Sequence, residues 1–233
     1  RQHSTTCAFS SLLRAEASRR LRGGLHVPGV GYHFEMEALA KPRGIEHDPR
    51  ASLVLVVALR LALSLVGISH PTLWMDEASS LLVAGGPLAM VEGPGGAPPT
   101  LLERLAAAEN SPPLYFVLLR GFTLVSTAEP WLRLLSVACG AAAAAAVYLL
   151  ARSLLPPGAA LAGALLFAAA PFQIDASQAI RFYALATAAT AAATAAGIEW
   201  AKRGGGRLRL LVHVASSVAA LMTFYPAGFA LAA

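Results

Sequence analysis

Charge is scarce in this sequence. Asp, Glu, Lys and Arg make up 13% of its 233 residues, about half the share usual in a soluble domain. Apolar residues make up 56%, with a mean hydropathy of +0.59. Such a chain has too little polar surface for a water-soluble globule, and too much apolar surface to stay disordered. Cysteine is nearly absent as well. Cys7 and Cys139 lie in unlike surroundings and give no disulfide framework, and Cys139 reads as a small packing residue in an alanine-rich run. No His/Cys/Asp spacing has the form of a zinc site, and there is no P-loop, dinucleotide glycine pattern or nucleophile elbow.

What is present is apolar length. A helix needs roughly 20 apolar residues to cross a bilayer. The chain offers six candidate spans: 51–69, 112–128, 131–155, 158–172, 182–200, and one from Leu208 to the last residue. A Gly- and Pro-rich loop, 70–111, separates the first two, and a short amphipathic helix is expected over 100–109. The pattern predicts an all-α, polytopic transmembrane helix bundle with juxtamembrane helices in its first outer loop. Residues 1–50 read as a poorly ordered cytoplasmic tail, and 51–233 as the N-terminal half of a larger membrane domain. The chain opens on Arg1 and stops within an apolar run, and Met36 is a more ordinary start. The stretch upstream of it has no signal-peptide core.

The net charge is +5, yet the basic residues avoid the apolar runs. That is the habit of a membrane protein, and nucleic acid is not an expected partner. Lys41, Arg43 and Arg50 precede the first candidate span, and Lys202, Arg203, Arg207 and Arg209 follow the fifth. Both groups belong on the cytoplasmic side by the positive-inside rule. The first span leads outward, so an odd number of crossings must bring the chain back, and one of the next four candidates does not cross. The weakest is 112–128, which is short, proline-led and carries Arg120. It is read as a juxtamembrane helix at the outer interface. Arg152 then falls inside, while 70–130 and 173–181 fall outside.

This topology gathers the polar groups of interest on one face. Asp76 and Glu77 follow the first span almost at once. Acids near membrane depth are costly and usually have a partner or a task. Such a carboxylate can serve as a general base or ligate a divalent cation. The plainer alternative is that Asp76 caps a short helix over 78–84. Glu109 and Asn110 precede Pro112 and Pro113, which suit a helix start; Glu109 is placed to face the same cavity. The segment 171–183 joins two spans and holds Asp175, Gln178, Arg181 and Tyr183. Arg181 can fork onto a phosphate, or anchor at the interface and pair with Asp175. Arg133 is either a snorkelling residue or a second phosphate contact. Arg60, midway along the first span, is expected to face the bundle interior.

These pieces, in this order, resemble the N-terminal half of the GT-C class of integral-membrane glycosyltransferases. The likeness is to the dolichyl-phosphate-mannose-protein mannosyltransferase and aminoarabinose transferase group. It rests on Leu-Trp-x-Asp-Glu (73–77), Ser-Pro-Pro-Leu-Tyr (111–115), Arg133 at the head of a span, and Ser-Gln-x-x-Arg-x-Tyr (177–183), and it covers about 53–233. The resemblance implies an inverting transfer of a sugar from a polyprenyl-phosphate carrier to a lipid, glycan or protein acceptor outside the cytoplasm. It implies Asp76 as catalytic base, Glu77 as its support or an acceptor contact, and Arg133 and Arg181 on the lipid phosphate. Asp175 falls where many members carry a second acid. Relatives often have Glu where this chain has Ala179, one turn after Asp175. No cofactor is required, although a divalent metal is compatible with the acids. The absent C-terminal half leaves the fragment by itself inactive on this reading. The competing expectations are a transporter or channel fragment, for which Arg60 is the one feature, and a non-catalytic membrane scaffold.

Overall fold

The computed structural model describes residues 48–69, 73–85, 100–108 and 112–232. Glu109, Ser111, Cys7 and the 1–47 segment lie outside them. Every regular element among the described residues is an α-helix. They are α1 (Pro49–Leu65), α2 (Met75–Ala84), α3 (Leu101–Ala108), α4 (Leu114–Thr123) and α5 (Glu129–Leu154). After these come α6 (Pro157–Ala169), α7 (Pro171–Gln178), α8 (Tyr183–Lys202), α9 (Arg207–Leu221) and α10 (Ala227–Ala232).

Local chemistry explains the boundaries. Asp48 accepts a hydrogen bond from the Arg50 N–H (3.0 Å) and Pro49 fills the first position of α1, the usual N-terminal signature. Prolines likewise open α5, α6 and α7. Gly85, at φ +76, ends α2 in the left-handed conformation that glycine adopts without strain. Three successive glycines with positive φ, Gly204–Gly206, separate α8 from α9.

Helix α5 is the central element, packed against α1, α4, α6, α7 and α8. Alanine supplies the closeness: Ala143, Ala144, Ala164, Ala168, Ala189 and Ala193 are all buried. The contacts fix directions. Tyr148, near the end of α5, donates to the Pro49 carbonyl at the start of α1 (3.3 Å), so these two helices are antiparallel. Lys202 donates to the Ser153 carbonyl, which pairs the C-terminal ends of α5 and α8 and makes them parallel. His213 meets the Ala193 carbonyl (2.9 Å) and Phe224 stacks on Phe182, so α9 runs back along α8.

Several expectations change. Among the described residues only α5 is by itself long and apolar enough to cross a membrane; α6 and α7, bent by 55° at a short break, would make a second if they form one broken span. The fourth candidate is therefore interrupted at Pro171, which has no N–H to continue the ladder. Helix α8 is 20 residues long, but its threonines dilute its hydropathy. The sixth candidate does not run on to the last residue: α9 stops at Leu221, and the chain turns before α10. Helix α4 has 10 residues, about 15 Å, which is too short to cross about 30 Å of hydrocarbon. The short helix expected over 100–109 is present as α3. There Glu103 accepts from the Thr100 N–H and hydroxyl, which hold its carboxyl below the usual range.

Candidate functional site

Adjacent helical positions point about 100° apart, and this separates the roles of Asp76 and Glu77 in the first turn of α2. The Asp76 side chain is 71% exposed, whereas that of Glu77 is 4% exposed. Glu77 is saturated by four donors. Its Oε1 accepts from Arg133 Nη1 (2.9 Å) and the Ile180 N–H (2.7 Å). Its Oε2 accepts from Arg133 Nη2 (3.3 Å) and the Trp74 N–H (3.1 Å). The helix cap, the plainer alternative for Asp76, is thus made by Glu77, at the third helical position. Arg133 also pairs with Glu129 one turn earlier in α5 and donates to the Gln178 carbonyl. A guanidinium held by two carboxylates and 1% exposed is a fixed counter-ion at the wall of the site.

Arg181 sits beside this pair. Its Nη1 donates to the Asp76 carbonyl (3.1 Å) and the Ser80 hydroxyl (3.2 Å), and its Nη2 lies 3.9 Å from Asp76 Oδ2. The guanidinium packs over the rings of Phe182 and Tyr183, at 5.1 and 5.8 Å from their centroids. Among the described residues the carboxylate beside it is that of Asp76, not Asp175. Asp175 is exposed on α7. Gln178 spans two elements, donating to the Ser64 (3.1 Å) and Val66 (2.8 Å) carbonyls at the end of α1. Behind them Tyr115 bonds Ser136 (3.2 Å), and burial pushes its phenol up, so it stays neutral.

Together these groups form a cavity of about 460 Å³, lined by Trp74, Asp76, Glu77, Arg133, Phe172, Asp175, Ala176, Gln178, Ala179, Arg181 and Tyr183. Seven of the eight residues singled out from the sequence therefore share one cavity; the eighth, Glu109, lies outside the described residues. Asp175 and Ala179, one turn apart, both face it. Phe172 was not anticipated, and Trp74 was read only as part of the Leu-Trp-x-Asp-Glu motif; both are exposed aromatics on the cavity wall. A second cavity of about 460 Å³ shares Phe172, Ala176 and Tyr183 with the first. It continues past Ala186, Thr190, Phe224 and Ala227 and is walled almost wholly by carbon. Compared with protein-family models, curated proteins and solved structures, the chain has no match. Among the described residues, no three His, Cys, Asp or Glu side chains gather as a metal site would require.

Arg60 has a structural task. It faces the bundle interior from α1, as expected, and donates to the Ala168 carbonyl (3.1 Å), the Gln173 carbonyl and the Ser177 hydroxyl. It thereby satisfies backbone oxygens at the α6–α7 break. Arg120 does the same for α2, donating to the Ala84 (3.3 Å) and Gly85 (2.8 Å) carbonyls. Both are helix C-terminal caps supplied from elsewhere in the chain.

Proposed function

We propose that this chain is part of a polytopic membrane glycosyltransferase of GT-C type. It would transfer a sugar from a polyprenyl-phosphate carrier to a hydroxyl acceptor at the outer face of the plasma (inner) membrane. The observation that carries the reading is the single cavity in which the exposed Asp76 carboxylate, Asp175, Arg181 and Tyr183 meet over a buried Glu77–Arg133 pair. A scaffold has no need of that convergence, and the feature that favoured a transporter, Arg60, is occupied in capping.

The membrane part of the reading has its own support. Residues 134–151 of α5 carry no charge and lie between Arg133 and Arg152, about 28 Å apart along the helix, close to a hydrocarbon core. In α8 the uncharged stretch 182–198 lies between Arg181 and Glu199. Val54 and Leu55 of α1, Leu166 of α6, and Leu208, Leu211 and Val218 of α9 are exposed, which suits lipid contact better than water.

In the proposed mechanism Asp76 takes the proton of the acceptor hydroxyl. The oxygen attacks the anomeric carbon, the bond from that carbon to the phosphate oxygen breaks, and the electron pair leaves with the phosphate, inverting the centre. Arg181 donates to the departing phosphate and offsets its growing charge. Asp175 supplies the second acid in place of the Glu that the resemblance would put at Ala179. Glu77 and Arg133 hold the start of α2 against the α7–α8 turn and so position Asp76. The apolar cavity adjoining the site suits a prenyl chain.

The test is Asp76→Asn in the full-length protein, in membranes supplied with polyprenyl-phosphate sugars. Transfer should fall by about 10²–10⁴-fold, the usual contribution of a general base. Unchanged transfer rejects Asp76 as the base.

A further inference from the structure

A third cavity, of about 570 Å³, lies at the other end of α5. It is bounded by the start of α1 and the C-terminal ends of α5 and α8. Three arginines line it: Arg50, Arg152 and Arg203. The acid among its lining residues is Glu199, which is taken by Arg203 (Nε to Oε2, 2.6 Å) one turn on. Arg152 is held in place: its Nη1 donates to the Tyr148 hydroxyl (3.3 Å), and its guanidinium lies 6.0 Å over that ring. Tyr148 is in turn tied to the Pro49 carbonyl. Apart from Ser153, the rest of the wall is mostly carbon, from Leu53, Leu149 and Val212 to the alanines of α8. The cavity is therefore positive at its rim and carbon-lined within.

We propose that this cavity binds the phosphate headgroup of an anionic membrane lipid, with the start of an acyl chain against the apolar wall. The charge is of the right sign, because three guanidiniums face one carboxylate. The shape is also right: a small phosphorylated solute gains nothing from the apolar wall, whereas a phospholipid fills both halves. The position matches as well, since basic pockets between spans on the cytoplasmic side are where anionic headgroups dock. Arg152 and Arg133 bracket α5, so this lipid would occupy the leaflet opposite the sugar-transfer cavity. The proposal rests on the membrane reading above but not on the transfer chemistry.

The experiment uses the full chain in nanodiscs of phosphatidylcholine, titrated with phosphatidylglycerol, with lipid retention read by native mass spectrometry. Phosphatidylglycerol should be retained preferentially, and Arg50→Gln/Arg152→Gln should weaken retention at least about tenfold. Arg207→Gln, an equal loss of charge per residue outside the cavity, should leave retention unchanged. Ala196→Leu keeps every charge and fills the apolar wall, so it should also cut retention; it serves if the double variant fails to fold. Equal weakening by Arg207→Gln, or no preference for phosphatidylglycerol in a protein that resists alkaline extraction from membranes, overturns the proposal alone. Displacement of the lipid by millimolar glycerol 3-phosphate or inorganic phosphate overturns it in favour of a soluble phosphate. Release of the chain by alkaline extraction overturns the membrane reading and this proposal with it.

Discussion

Two neighbouring carboxylates in the first turn of α2 face opposite demands. Asp76 is exposed and has a guanidinium nitrogen 3.9 Å away; Glu77 is buried and holds four donors. Replacing an exposed carboxylate by its amide changes stability by about 0.5 kcal/mol or less. Removing one partner of a buried ion pair costs about 3–5 kcal/mol, since the other charge is left uncompensated. Glu77→Gln should therefore destabilise the protein by about 3 kcal/mol, near the low end because Glu129 still faces Arg133. Asp76→Asn should unfold like the parent. Thermal unfolding in detergent separates the two, and equal losses would mean that Asp76 is structural and not available for chemistry.

At the level of elements, the α6–α7 break is held where three groups meet. Arg60 from α1 and Ser177 from α7 both press on Gly140 of α5: a methyl group there would lie 2.9 Å from Ser177 Cβ and 3.3 Å from Arg60 Nε. In an open helix Gly→Ala gains about 1 kcal/mol of propensity, whereas overpacking costs about 1–3 kcal/mol. Here the nearest neighbour is Ser177, whose hydroxyl is tied to the Gln173 carbonyl and to Arg60, so moving it breaks those bonds. Gly140→Ala should lower the unfolding temperature, and adding Ser177→Gly should recover part of the loss; a neutral or stabilising Gly140→Ala would show that α5 and α7 are not this close. The same elements mark what the sequence made legible. Asp76, Asp175, Arg181 and Tyr183 could be picked out because each is polar beside an apolar run, and the candidate spans at 51 and 158 begin within two residues of α1 and α6, but the helix start at Pro171 was not read, since the fourth candidate ran through it. The tasks of Arg60, Arg120 and Gln178 could not be read, because each caps a helix that the chain reaches only through tertiary packing. Nor could the burial of Glu77 beside an exposed Asp76, which follows from how α2 is rotated against α5.

At the scale of the whole molecule, the up-and-down course of α1, α5, α8 and α9, in which α5 and α8 run the same way, separates two ends. One holds the acidic cavity at the α7–α8 turn; the other holds the glycine turn and its arginines. Helix α8 joins them over about 30 Å with no charge between Arg181 and Glu199. If α8 crosses the bilayer, a thiol on α7 and a thiol after Gly206 must lie on opposite sides. Phe172 and Arg207 are both exposed and suit single-cysteine variants in a chain whose Cys7 and Cys139 are replaced by alanine. A membrane-impermeant maleimide should label Phe172→Cys from outside intact cells, and Arg207→Cys only after permeabilisation. Labelling of both from the same side would mean that α8 does not cross, and the parity that unites residues 76, 133, 175 and 181 at the outer face would fail. The reverse pattern would keep the cavity intact but turn it to the cytoplasm, where nucleotide sugars are the available donors and a flipped prenyl carrier is not.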